Sequence, residues 1–303
     1  RASESKTMRK AFQDIAKKLF KRFRPKKIME IGSNDGVFLR NFNKKSVIAV
    51  EPCKNLARIT KNLFRTYDEF WNLRLSNKLL KEKKGGIDLI FSANTISHIP
   101  NLRETFKGIY NILSKNGVLV IEDPSLLKVL QNNSYDQFYD EHVYVFSSIA
   151  INNIIQEYGL RLFDVEHLST HGGSNRYYIK KKSNKLYKIK KSVKKNLDAE
   201  KNFGLHKFST YKNFAKKVIS SKKKLKLIFS KIKDKKKRII GYGATAKSCT
   251  VLNYCEIDNK YIDFFYDTTS YKIGKYLPGS KILIKKYNKL SIKNSEYVFL
   301  GAW

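Results

Sequence analysis

A glycine turn directly behind a short apolar run does more than any other stretch to limit the folds open to this chain. The run covers residues 27–31, and the turn reads Glu30-Ile31-Gly32-Ser33-Asn34-Asp35-Gly36. Gly32 and Gly36 let the backbone bend sharply and approach a ligand where a Cβ would clash. Further runs of strand character follow at 46–50, 87–92 and 118–123, separated by helical runs near 38–43, 56–64 and 102–113. Strands alternating with helices in this way build a parallel, helix-flanked sheet. Ahead of the turn, Met8, Phe12, Ile15, Ala16, Leu19 and Phe20 recur at helical spacing until Pro25, which predicts an N-terminal helix over 7–23.

Beyond Pro124 the pattern changes. A polar, aromatic-rich loop over 132–146 leads to a predicted helix near 148–158 and strands at 160–167 and 176–180, a substrate-facing insertion or extension of the sheet. Residues 181–237 are dense in lysine, yet Phe203, Phe208, Phe214, Val218, Leu225 and Ile228 are spaced for long helices, so a helical connector is expected rather than disorder. A second α/β unit opens at 238–242, with later strands at 261–266 and 296–300. The expected class is therefore α/β: a Rossmann-like domain over 1–182, a connector over 183–236 and a smaller Rossmann-like domain over 237–303. The 303 residues exceed one typical domain, and 42% hydrophobic content can fill two cores.

The strand ends speak of a ligand. In a dinucleotide fold the glycines face a pyrophosphate, which Glu30 would repel. A ligand bearing an amine and hydroxyls suits Glu30 better, and S-adenosylmethionine meets that demand. Gly32, Ser33, Asn34 and Gly36 form the turn, and the helix behind it offers N–H groups. About twenty residues on, Glu51, with Pro52 after it, ends the second strand, where a carboxylate accepts hydrogen bonds from both ribose hydroxyls. The third strand runs into Ala93-Asn94-Thr95-Ile96-Ser97-His98, which adds Asn94 to the cofactor set and brings His98 to the carboxyl edge of the sheet.

A second group of residues has the character of a proton-transfer site. Tyr139, Glu141 and His142 lie in a loop flanked by Tyr135, Phe138 and Tyr144, with few apolar neighbours. Histidine ionises nearest neutrality and can remove a proton and return it. Glu141 would orient it or balance its charge, and Tyr139 or His98 would hydrogen-bond an oxygen that becomes negative as the proton leaves. His171-Gly172-Gly173-Ser174 reads either as a turn between strands or, with Arg176 beside it, as a phosphate or sugar contact.

The strand ends over 27–123 resemble those of class I S-adenosylmethionine-dependent methyltransferases. The ordered set is narrower: together with Gly241-Tyr242-Gly243-Ala244-Thr245-Ala246-Lys247, Leu252-Asn253-Tyr254-Cys255 and Lys272-Ile273-Gly274-Lys275-Tyr276-Leu277-Pro278-Gly279, it is similar to the sugar C-methyltransferase family over nearly the whole chain. That resemblance implies methyl transfer to the carbon beside the ketone of a nucleotide-linked keto-deoxysugar. His142 would be the base, with Tyr139, Glu141 and His98 around the sugar. Tyr242, Gly243, Lys247, Asn253, Lys272 and Tyr276 would serve the nucleotide, and the second glycine turn would hold part of its diphosphate or only pack. Family members usually carry an N-terminal cysteine-rich zinc-binding domain and a tyrosine just before the segment matching Ser3-Glu4-Ser5; both would lie upstream of Arg1, and any zinc with them. Within the motifs Thr245 stands where the family commonly has Pro, Ser248-Cys249 replaces Gly-Asn, and Asp140 replaces His.

Composition sets the remaining expectations. The net charge of +36 would ordinarily signal nucleic acid. Here 50 of the 62 basic residues are lysines dispersed with asparagine and isoleucine, as a solvated surface would be. Cys53, Cys249 and Cys255 form no CxxC pair, and no metal is expected within the chain. No run approaches a membrane span or a signal peptide, so a cytoplasmic monomer is the default, and both ends read as cut. The rivals are a class I methyltransferase for RNA or another small molecule, and a non-catalytic relative that only binds.

Overall fold

The computed structural model describes residues 2–82, 86–290 and 295–301, and of His171 the backbone only; the ends of the region expected as a second domain, 302–303, lie outside the described residues. By packing, the chain divides into two units, residues 1–126 with 143–203 and residues 127–142 with 204–303.

The first unit opens with α1 (Lys6–Phe23), whose N-terminus is capped by the Ser5 hydroxyl and which buries Ile15, Ala16 and Leu19. There follow β1 (Ile28–Ile31), β2 (Val47–Val50), α2 (Lys54–Lys61), β3 (Arg65–Tyr67), α3 (Leu73–Glu82), β4 (Ile87–Ala93), α4 (Leu102–Ile112) and β5 (Leu113–Pro124). α5 (Leu126–Gln131) leads out of this unit, and α6 (Ser148–Glu157), β6 (Leu160–Leu168), β7 (Ser174–Lys181) and α7 (Lys191–Phe203) complete it. The seven strands run in the order β3-β2-β1-β4-β5-β7-β6. The first five are parallel and β7 pairs antiparallel with both neighbours, so the sheet is mixed. Strand order reverses between β1 and β4, the crevice where open α/β sheets bind ligands. One apolar cluster, with Met29, Ile90, Phe106 and Tyr177, covers one face, and another, with Leu19, Phe38, Phe91 and Tyr178, the other.

Four local readings change. The helix expected near 38–43 is a single 3₁₀ turn, Leu39–Asn41, because the Asn41 side-chain amide donates to the carbonyls of Val37 and Phe38 and competes with a helical ladder. β3 and α3 were not foreseen, and β5 begins at Leu113, five residues before the expected 118.

α6 begins where the chain returns to the first unit, and buried polar groups fix it there. Glu200 of α7 accepts from the N–H groups of Ser148 and Ile149, and Ser147 caps Ala150. Behind this a hydrogen-bond ring closes on itself. The Asn175 amide donates to Ser148 Oγ (3.3 Å), Ser148 to Asn196 Oδ1 (2.8 Å), Asn196 to His167 Nε2 (3.1 Å) and His167 Nδ1 to Asn175 Oδ1 (2.8 Å). Every donor meets an acceptor, which such a buried network requires.

The lysine-rich stretch forms α7 in the first unit and α8 (Phe208–Asp234) in the second. The second unit continues with β8 (Ile239–Tyr242), α9 (Ala246–Cys255), β9 (Phe265–Asp267), β10 (Ile284–Lys286) and β11 (Tyr297–Leu300), all parallel in the order β10-β9-β8-β11. β10 was not foreseen, and β9 is shorter than the expected 261–266. Phe229, Leu252, Cys255 and Phe265 form its core. A Cβ at Gly241 would stand 2.3 Å from the Phe265 ring, so this glycine is needed for packing.

Candidate active site

The first glycine turn gathers the cofactor candidates on one sheet edge. Gly32 has φ +75° and donates to Val50 O, and a Cβ there would lie 2.1 Å from Thr95 Oγ1. Glu51 is buried and accepts at both oxygens, from Asn34 N at 2.7 Å and Cys53 N at 2.9 Å. A carboxylate has about four acceptor positions, so two remain for ligand hydroxyls. Asp35 Oδ2 accepts from the Ser3 hydroxyl at 2.5 Å, and the Asn34 side chain accepts from Ala2 N, tying the residues before α1 to the turn. Asn94, also at positive φ, donates its N–H to Glu122 O.

Glu30 is 3% exposed, and its Oε2 is buried with no protein partner. Burial first, then the charges of Glu51, Asp35 and Glu122, hold its carboxyl well above the usual range. A buried acceptor with no donor beside a tight backbone cradle is what a ligand ammonium would complete, so the turn fits S-adenosylmethionine: Glu30 for the amine, Glu51 for the ribose.

Further along this edge lies a carboxylate that sequence reasoning passed over. Asp123, at the end of β5, is fully buried; Oδ1 accepts from Ser97 Oγ at 2.6 Å, and Oδ2 has no partner. Burial pushes its carboxyl up to about 7. The signal was available, since Asp123 ends a strand as Glu30 and Glu51 do. Ser97 lies in the 3₁₀ turn Ile96–His98, and its carbonyl accepts from Tyr144 N. His98 ends this turn, half-buried.

Tyr139, Glu141 and His142 belong by packing to the second unit, although they precede α6 in sequence. Tyr139 OH and His142 Nε2 lie 2.9 Å apart, with ring centroids at 4.1 Å. His142 Nδ1 is 2.7 Å from the carbonyl of Gln137. Since a carbonyl only accepts, Nδ1 carries the proton and Nε2 the lone pair, which takes the tyrosine O–H. Burial first, with the charge of Lys247, keeps the imidazole below its ordinary pKa, hence neutral. Burial, Glu141 and Asp136 hold the Tyr139 phenol above its own, hence protonated. Glu141 is exposed and acts on both through its charge. Lys247 is thus brought to this cluster, with the buried Asp136 acting on its charge.

The second glycine turn is filled by its own side chains. Ala244 N donates to Asp267 Oδ2 (2.9 Å), Thr245 N to Ser248 Oγ (2.9 Å) and Ser248 N to Thr245 Oγ1 (3.1 Å), the last two forming a reciprocal capping box on α9. Lys272 Nζ donates to Ala244 O. Asn253 holds the Pro278 carbonyl, the Tyr242 ring meets Tyr287 at 5.5 Å, and Tyr276 is exposed. In the first unit Gly172 and Gly173 make the expected turn before β7; Gly173 O accepts from Ser125 N and Ser174 Oγ donates to Thr170 O. Arg176 is engaged by Glu122 at 2.5 Å and Glu166 at 2.9 Å. The side chain of His171 lies outside the described residues. Among the described residues no group of three or more His, Cys, Asp or Glu side chains could hold a metal, and no helix is long and apolar enough to cross a membrane.

Two family models match. One described as a methyltransferase domain covers residues 4–165, and one described as a C-methyltransferase C-terminal domain covers 169–303. The chain is similar to the C-methyltransferase NovU of Streptomyces niveus, 28% identical over 279 residues. The match takes in 91% of this chain and 66% of NovU, so the chain spans just under two thirds of that relative. Among solved structures, an S-adenosylmethionine-dependent methyltransferase from Clostridium acetobutylicum is 16% identical with a TM-score of 0.44, over 56% of this chain and 91% of the other. A SAM-dependent methyltransferase from Archaeoglobus fulgidus is 16% identical with a TM-score of 0.42, over 54% and 75%.

Proposed function

We propose that this chain, which belongs to the methyltransferase-domain family and carries a C-methyltransferase C-terminal domain, methylates the carbon beside the ketone of a nucleotide-linked keto-deoxysugar. The observation that carries the reading is the pairing of His142 with Gln137 and Tyr139, which leaves a neutral imidazole with its lone pair on Nε2 beside a protonated phenol.

Carbon beside a ketone is not nucleophilic until its proton leaves. His142 Nε2 takes that proton once substrate displaces the tyrosine hydroxyl, and the C–H bonding pair moves into an enolate with its charge on the ketone oxygen. Tyr139 then donates to that oxygen, and His98 is the second candidate donor. Glu30, Glu51 and the backbone of the first glycine turn would hold S-adenosylmethionine, which when bound would supply an electrophilic methyl group for the carbanionic carbon, the S–C bonding pair leaving with sulfur. Glu141 and Lys247 adjust the charge around the base.

The test incubates the chain with labelled S-adenosylmethionine and a panel of nucleotide-linked 4-keto-deoxysugars in deuterated water. Label on carbon, with solvent exchange at the α-carbon that His142→Ala abolishes while cofactor affinity stays, supports the reading. Label on RNA alone, or cofactor binding without any turnover, would overturn it.

A further inference from the structure

The segment that carries His142 is anchored by aromatic contacts that the reaction itself does not use. Tyr135 opens the 3₁₀ turn Tyr135–Gln137. Its hydroxyl lies 3.5 Å from Sγ of Cys255, the fully buried last residue of α9, and its ring meets that of Tyr254 edge-on at 5.5 Å. Three residues on, Phe138 packs edge-on against Phe214 of α8 at 6.0 Å. Between these two anchors sits Gln137, 1% exposed, whose carbonyl receives His142 Nδ1–H. His142 N donates to Tyr139 O and closes the loop.

From this contact chain we infer that Tyr135, docked on α9, is a positioning residue for His142, and that a task of the second unit is to hold the base in its Nδ1–H tautomer. The inference rests on reading His142 as the base. A neutral imidazole carries its proton on either nitrogen, and the partner of the other nitrogen decides which. With the Gln137 carbonyl fixed, the proton stays on Nδ1 and the lone pair faces Tyr139. If the turn tilts, the proton is free to sit on Nε2, and that tautomer cannot take a proton there. The ring is what docks: the contact of the Tyr135 hydroxyl with Cys255 Sγ at 3.5 Å is weak and adds little to it.

The experiment compares the full chain with Tyr135→Ala, Tyr135→Phe and Tyr254→Ala. His142 is followed by nitrogen-15 spectra of its ring, assigned against His142→Ala, and turnover and cofactor affinity are measured in parallel. Tyr135→Ala is expected to lower kcat about tenfold, a fraction of the roughly 100- to 10,000-fold that a positioned base contributes, with cofactor affinity within about twofold. Its spectrum should show mixed tautomers, whereas Tyr135→Phe, which keeps the ring, should stay near wild type. Tyr254→Ala removes the edge contact together with the seat of the Lys222 ammonium over that ring (5.1 Å) and leaves Tyr135 in place; it should fold where Tyr135→Ala does not, and show a smaller change in the same direction. Retention of the Nδ1–H signature and of kcat in both alanine variants overturns the inference. A wild-type chain that turns over no keto sugar sinks the functional reading alone, and the nitrogen spectra then decide the positioning by themselves.

Discussion

Glu30→Gln separates what the first glycine turn does for folding from what it does for ligand. The wild-type carboxyl is buried, has an unpartnered Oε2 and is surrounded by Glu51, Asp35 and Glu122, so its folded pKa is raised. Below its unfolded value the group is protonated in both states and costs nothing. As pH rises past that value the unfolded chain releases the proton while the folded chain keeps it, so stability falls until the folded pKa is passed and the penalty becomes constant. Each unit of elevation corresponds to about 1.4 kcal/mol, and 1 kcal/mol moves Tm by about 2–4 °C in a protein of this size class. Glutamine is neutral and of the same shape, so the ligand-free variant should melt above wild type at pH 7.5, by about 3–6 °C for each unit of elevation, and level with it at pH 4. With S-adenosylmethionine the order reverses. Losing a charge-assisted hydrogen bond to the ammonium costs about 1.5–3 kcal/mol, roughly 10- to 150-fold in Kd. Calorimetry in buffers of different ionisation enthalpy should also detect a proton released on binding to wild type and none to the variant. A variant that melts lower than wild type and binds equally well would refute the argument and leave Glu30 a structural strand-end residue.

Two further outcomes follow from the same edge of the sheet. Asp123→Asn keeps an acceptor for Ser97 and removes the buried ionisation; at about 1.4 kcal/mol per unit, the rise from 3.8 to about 7 is worth up to about 4 kcal/mol. Urea unfolding at pH 4, 6 and 8 should show the variant gaining on wild type as pH rises and then a constant gap; an equal gap at all three values rules this out. Gly32→Ala places a methyl into Thr95 at φ +75°, so it should lose about 1–3 kcal/mol of stability and weaken cofactor binding. Adding Thr95→Ala should restore part of that loss, since it relieves the clash and not the backbone strain; full restoration would show that φ at this position is unimportant.

How much of this was legible in the sequence depends on whether the signal was local. The ends of β1, β2 and β4 were readable because a buried parallel strand writes a continuous apolar run and the glycines mark where it turns. β3 is only Arg65-Thr66-Tyr67 and writes no pattern, and its place at the sheet edge follows from pairing with β2. The 3₁₀ turn at Leu39–Asn41 was misread because apolar spacing cannot show an asparagine amide competing for carbonyls. For the candidate site the same division holds. Residue types and order gave His142, Tyr139, Glu30 and Glu51, but Gln137 as the partner that sets the tautomer is a backbone carbonyl, and no side-chain motif encodes it.

The second glycine turn carries this furthest. Read along the chain, Thr245 for proline and Ser248 for glycine look like two separate departures. In space they are one, because each hydroxyl caps the other's N–H and together they close the first turn of α9. Asp267 takes the N–H of Ala244 as well. A phosphate at this turn would have to displace three intramolecular acceptors that already satisfy the donors it needs, whereas a helix N-terminus without such a cap presents those donors free. The paired substitution therefore favours packing over diphosphate binding at α9. It leaves Lys247, whose charge acts on His142, as the residue of this turn with a part in the proposed reaction.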